Sequence, residues 1–234
     1  MLPPTVLFVV SLFAGLAQSF MTQGFTLDGS DGFPDWKAAH NDGARFVTIR
    51  ATQGNLDIDQ LYQENWSDAK KNGFIRAAYH VGRPNIGSGK EQAEFFLKHG
   101  GRWVADNMTL PGILEVKAPE VGNSCWGLNS NQTRQWLNEW TETYFNATRM
   151  RPLLRTNLLW YDNCTDYWFS LPSHAGLAVI DNSDSPPNDH DLEIDYYDTW
   201  TLWQNGDYYK YGGYSEMWHG GYEYLKSSTT KKGN

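Results

Sequence analysis

The stretch Arg45–Val81, RFVTIRATQGNLDIDQLYQENWSDAKKNGFIRAAYHV, decides the fold class. Arg45 to Ala51 is a β-branched run that predicts a strand. The segment through Leu61 and Trp66 to Lys71 predicts a helix, with Gly73 just past its end as a stop signal. Phe74 to Val81 then predicts a second strand. A strand, a helix of this length and another strand form the βαβ unit of a parallel sheet.

The same rhythm extends in both directions. Phe25–Asp28 predicts an earlier strand, followed by a loop at Gly29 and Gly32 and a helix over Pro34–Asn41 that Gly43 ends. Downstream, Ser88 can cap a helix through Phe95, Phe96 and Leu97 that stops near Gly100, and Leu110–Lys117 reads as a buried strand, apolar and then abruptly charged. Asn129 or Ser130 can cap a helix whose apolar residues Trp136, Leu137, Trp140 and Tyr144 keep helical spacing. Further strands are predicted at Pro152–Thr156, Leu177–Ile180 and Trp200–Gln204. Such alternation implies an α/β fold, a single TIM-like (β/α) barrel, made irregular by the scarcity of helix between the later strands. No internal repeat or linker divides the 234 residues, and the expected layout is a leader at 1–19, a barrel at 20–226 and a polar tail at 227–234.

The leader holds an uncharged apolar run from Val6 to Leu16, then Ala17-Gln18-Ser19, the small-residue pattern of a signal-peptidase site. It is short for a membrane span. Asn65, Asn107, Asn131, Asn146 and Asn163 each head an N-glycosylation sequon, which fits a secretory route. Cys125 and Cys164 are the only cysteines, an even pair that reads as one disulfide in an oxidising compartment, with two buried free thiols as the alternative. The formal net charge of −8 argues against nucleic acid and anionic membranes as partners. The 11 Trp, 13 Tyr and 11 Phe supply aromatic faces suited to sugar rings as well as to a core.

In parallel barrels the chemistry sits at the carboxyl ends of the strands, so Leu110–Lys117 places Glu115 and Lys117 there, two residues apart on one side. An ion pair between them is the expected ground state; two solvated charges with no role is the bland alternative. Asp189–Asp195 is acidic but lacks the glycine and spacing of a calcium loop, and no metal site or cofactor is expected.

Several segments together resemble glycoside hydrolase family 25, the muramidase-type lysozymes. Phe46–Gly54 resembles that family's second-strand motif and Ala77–Pro84 its third. Phe95-Phe96-Leu97, Leu110–Leu114, Cys125–Leu128 and Trp203-Gln204 follow in the family's order. The resemblance implies a cleft at the strand carboxyl ends and hydrolysis of peptidoglycan. Carried over by position, however, the family's catalytic acids fall on Thr26, Glu115, Lys117 and Glu216, so that a threonine and a lysine stand where carboxylates are expected. Gln53 likewise stands for a family glutamate. Tyr79, His80, Asp28, Trp203, Gln204 and Asp207 become the sugar-contacting candidates, with a buried structural role as the alternative for His80 and a surface role for Asp28. Glu120 is a further candidate for a relocated acid.

The sequence therefore implies a secreted, lysozyme-like, monomeric protein whose cleft binds cell-wall glycan, peptidoglycan or chitin-like, with impaired or absent catalysis. A working glycosidase with relocated carboxylates and a purely structural or protein-interaction role are the alternatives.

Overall fold

The computed structural model describes residues 21–166, 175–183, 185–186 and 200–230. The leader at 1–19 and the acidic stretch Asp189–Asp195 lie outside them.

Nine strands are present among the described residues: β1 (Met21–Leu27), β2 (Phe46–Gln53), β3 (Asp57–Ile58), β4 (Ile75–Val81), β5 (Ile113–Glu115), β6 (Leu153–Thr156), β7 (Gly176–Ile180), β8 (Leu202–Tyr208) and β9 (Tyr214–His219). The helices are α1 (Trp36–Asn41), α2 (Tyr62–Lys71), α3 (Gly89–Lys98), α4 (Ser130–Thr148), α5 (Leu158–Thr165) and α6 (Tyr222–Ser228). Parallel pairing runs from β1 through β2, β4, β5, β6 and β7 to β8, and β9 returns antiparallel between β8 and β1, closing an eight-stranded barrel. β3 only extends the end of β2. The expected irregularity thus comes from an antiparallel closing strand. Local residue patterns do not predict that strand, β3, α5 or α6.

The helices form where capping and periodicity agree. Ser88 caps α3 in a capping box with Glu91, and Asn129 does the same for α4 with Gln132. The buried face of α4 is Thr133, Trp136, Leu137, Trp140, Thr141 and Tyr144, the spacing of one helical stripe. Gly89 lets α3 approach α4 closely, because a Cβ there would lie 2.0 Å from the Trp136 carbonyl oxygen. Ser227 and Ser228 belong to α6 and Thr229 is buried, so the expected polar tail is part of the fold at least that far.

Strand periodicity sorts the core into two layers. Phe46, Ala77, Tyr79, Ile113, Leu153, Ala178, Leu202 and Trp218 fill the barrel interior, joined by Leu225 of α6. Their neighbours Val47, Ala78, Leu114, Leu154, Val179 and Trp203 face the helices, in the larger cluster with Phe96, Trp136, Trp140 and Tyr144. No helix among the described residues is long and apolar enough to cross a membrane.

Candidate functional site

A cleft of about 690 Å³ opens at the carboxyl ends of the strands. Its lining includes Thr26, Asp28, Tyr79, Glu115, Lys117 and Gln204, which the sequence had singled out, and Glu120 on the loop beyond Lys117. The parallel strands deliver these side chains to one rim for the reason that makes the fold a catalytic scaffold: all of them end on the same side.

The floor is a buried charge network. Arg155 of β6 is fully buried, and its guanidinium lies 2.9 Å from Glu115 and 2.5 Å from Glu216. Thr48 donates its hydroxyl to Glu216 at 2.9 Å, and the Arg155 guanidinium also stacks on Tyr79, 4.3 Å from the ring centre. β2, β6 and β9 are not all neighbours in the sheet, so these contacts run through the barrel interior. At the mouth of the cleft the Lys117 ammonium lies 3.3 Å from Glu115, with the lysine side chain 54% exposed. The expected Glu115–Lys117 contact is therefore present, but Glu115 has a second and more deeply buried cation.

Burial pushes the Glu115 carboxyl up, but Arg155 and then Lys117 outweigh it and hold the group below its ordinary value. At Glu216 burial dominates and raises the carboxyl to about 7 against the pull of Arg155 and Thr48. Burial works against the charge of Arg155 as well, yet Glu115 and Glu216 together hold it charged. Thr26 has no titratable group; its hydroxyl accepts the Tyr214 backbone N–H at 2.9 Å and so ties β1 to the β8–β9 hairpin. Gly213 makes that approach possible, since at φ +49° its missing Cβ would meet the Thr26 carbonyl oxygen at 1.9 Å.

Other predicted site residues lie elsewhere. Glu216 is completely buried beneath the cleft rather than on its surface. His80 is also completely buried and faces the helix layer: its ring nitrogens pair with Thr52 at 2.8 Å and Gln92 at 3.1 Å, and the ring stacks near Trp140. It follows Tyr79 in the strand, and a period of two sends the pair to opposite faces. Trp203 and Gln204 repeat the pattern: Gln204 lines the cleft while Trp203 is buried and donates to the Asp181 carbonyl oxygen. Asp207 is exposed and does not join the cleft lining. Asp28 lies at the rim, but Arg50 sits 3.4 Å from it and Ser30 donates to it from both backbone and hydroxyl.

Asn65 is buried, with its amide donating to the Gly32 carbonyl oxygen. Asn107, Asn131, Asn146 and Asn163 are exposed. Cys125 and Cys164 form a disulfide, 39 residues apart in sequence, which fastens the cleft wall beyond Lys117 to α5. Among the described residues no group of three or more His, Cys, Asp or Glu side chains could hold a metal ion.

Arg155 is the residue that the sequence reading missed. Its signal was present: one arginine inside the otherwise buried run Leu153-Leu154-Arg155-Thr156 requires buried acids nearby. Trp126, Arg83, Tyr208 and Tyr214 also line the cleft and come from loops and a hairpin that strand periodicity does not predict.

In chemical terms the family positions offer one carboxylate at the cleft surface, held ionised by two cations. Glycoside hydrolysis ordinarily needs a protonated carboxyl at the leaving oxygen and a second carboxylate across the scissile bond. An ammonium group is a far weaker acid than a carboxyl group.

The family model for glycosyl hydrolases family 25 matches residues 28–214. The N,O-diacetylmuramidase of Chalaropsis sp is 31% identical over 211 residues, covering 89% of this chain and 99% of that protein. Among solved structures, a family GH25 lysozyme from Aspergillus fumigatus is 34% identical with a TM-score of 0.84, covering 90% of this chain and 100% of that one. A muramidase from Trichobolus zukalii is 32% identical with a TM-score of 0.82, over 89% and 99% of the two chains. With the barrel matched nearly end to end and the family model spanning the cleft-forming strands, the chain belongs to glycosyl hydrolase family 25.

Proposed function

We propose that this family 25 member is a secreted protein that holds cell-wall glycan in its barrel cleft without cleaving it. The observation that carries this reading is the pairing of Glu115 with both Arg155 and Lys117, where the family resemblance puts the catalytic acids. Glu115 is kept as a carboxylate and cannot serve as a proton donor near neutral pH, Lys117 is no substitute, and Thr26 brings no charge. Removing a general acid alone commonly lowers the rate by about 10²–10⁴. The cleft itself persists, with Tyr79, Gln204 and Trp126 in its lining. Secretion rests on the leader at 1–19, with the barrel taken as residues 20–226, and N-glycans are assigned to the exposed Asn107, Asn131, Asn146 and Asn163.

The deciding experiment pairs calorimetric titration of peptidoglycan fragments and N-acetylglucosamine oligomers with a reducing-sugar assay on the same protein. Binding without new reducing ends is expected. Release of reducing ends would instead establish a working glycosidase, with Asp28 and Glu120 as the acids to test. Neither binding nor release would leave a structural or protein-interaction role.

A further inference from the structure

One cation of the cleft lining, Arg83, is not used by the floor network. Arg83 lines the cleft with its guanidinium over the Trp126 ring, 4.9 Å from the ring centre. No carboxylate pairs with Arg83 among the described residues, and its Nε–H is shielded from solvent without an acceptor. Trp126 in turn donates its indole N–H to the Lys117 carbonyl oxygen at 2.9 Å, which fixes the indole against the segment that presents Lys117. The Cys125–Cys164 disulfide, next to Trp126 in sequence, anchors this wall to α5. Lys117 makes one ion pair, with Glu115, and its exposed ammonium keeps further donors for a ligand.

The acids of the lining are mostly engaged. Asp28 pairs with Arg50, Asp31 accepts from the Asp28 backbone N–H and the Tyr208 hydroxyl, and Glu115 faces Arg155 and Lys117. Glu120 alone in the lining has no bond or ion pair among the described residues. Near Lys117 the lining matches Lys117 and Arg83 in number with Glu115 and Glu120, but no carboxylate among the described residues lies within ion-pair distance of Arg83.

We infer that Arg83, Trp126 and Lys117 form a subsite for a carboxylate carried by a sugar, so that the cleft prefers acidic over neutral glycans. This rests on the proposed glycan binding and adds the ligand's charge. The guanidinium fork suits a planar carboxylate, the ammonium supplies a second charge, and the indole gives the sugar an apolar wall. In this reading Lys117, rather than merely ending proton transfer at its position, makes that position a receptor for anions.

The test compares three tetrasaccharides of equal length by calorimetry at low salt: a neutral N-acetylglucosamine tetramer, a tetramer alternating N-acetylglucosamine with a lactyl-ether sugar bearing a free carboxylate, and a glucuronic acid oligomer. At least one acidic oligomer should bind about ten- to a hundredfold more tightly than the neutral one, the range for charge-assisted hydrogen bonds, with the advantage shrinking at high salt. Which acidic oligomer gains separates a substituent carboxylate from a ring carboxylate. Lys117→Gln, at an exposed side chain, should remove most of that advantage by weakening the acidic oligomer much more than the neutral one. Arg83→Lys keeps the charge but loses the fork, and should retain only part of it. Equal binding of neutral and acidic oligomers, or a Lys117→Gln loss of equal size for both, overturns the subsite while leaving glycan binding standing. No binding of any oligomer overturns both.

Discussion

Replacing Arg155 with methionine deletes the one cation that two buried carboxylates share and keeps much of its side-chain volume. Arg155 and Glu216 are both fully buried, and Glu216 would keep only the Thr48 hydroxyl at 2.9 Å. Glu115 fares better, because Lys117 remains 3.3 Å away. Breaking a buried pair by removing one partner typically costs about 3–5 kcal/mol, most of it the cost of the charge left behind. The loss must depend on pH, and its sign follows from Glu216. Burial already raises that carboxyl to about 7, above its unfolded value, so its protonated form is the one the native state favours. Without Arg155 the carboxyl rises further. The stability it confers is full below its unfolded value and is lost as pH climbs through the folded one, so Arg155→Met should be most destabilising near pH 8 and distinctly less so near pH 5. Urea unfolding at the two pH values measures this. Adding Glu216→Gln to Arg155→Met should recover part of the loss at pH 8. Lys117→Ala, at a side chain that is 54% exposed, should cost less than about 1 kcal/mol. A loss below about 1 kcal/mol for Arg155→Met at pH 8, or an equal loss at both pH values, would refute the assignment of Arg155 as the buried counter-ion.

His80 is buried neutral, its ring pushed down to about 4 chiefly by burial. The unfolded chain takes up that proton below about pH 6.5 while the native chain does not, so stability should fall between pH 6.5 and 4 by roughly 3 kcal/mol from this group. Glu216 acts in the opposite sense over much of that range, so the measurement is the difference in urea midpoint between wild type and His80→Gln; a difference independent of pH would contradict the buried neutral ring. Cys125→Ser with Cys164→Ser should cost about 4 kcal/mol by the loop-entropy model for a 39-residue separation, read by urea unfolding. Titratable thiols in the denatured wild-type protein would speak against the bridge. Thr26→Asp with Lys117→Glu returns carboxylates to two family positions, and turnover of peptidoglycan should appear in the double variant and in neither single one, because catalytic groups acting together are strongly non-additive. If the unmodified protein already turns over peptidoglycan and Lys117→Ala leaves its rate untouched, the catalytic positions assigned above are wrong.

The alternation in Arg45–Val81 and its repetition along the chain determined the parallel barrel, because side-chain periodicity and glycine stops are local properties. The same local order put Glu115 and Lys117 at a strand end and made their contact legible, since two residues of spacing return a strand to the same side. That rule also contained the fates of His80 and Trp203, because the neighbours Tyr79 and Gln204 could reach the cleft only if these two turned away from it. Glu216 and Arg155 are different. They lie 61 residues apart, on β9 and β6, and meet only because β9 reverses direction and closes the barrel across its interior. No local pattern encodes that meeting: the barrel's closure, which depends on pairing between β1 and β9 from opposite ends of the chain, decided which charges neutralise one another. The approach of Arg83 to Trp126 is tertiary in the same sense, set by a loop that the disulfide fastens in place.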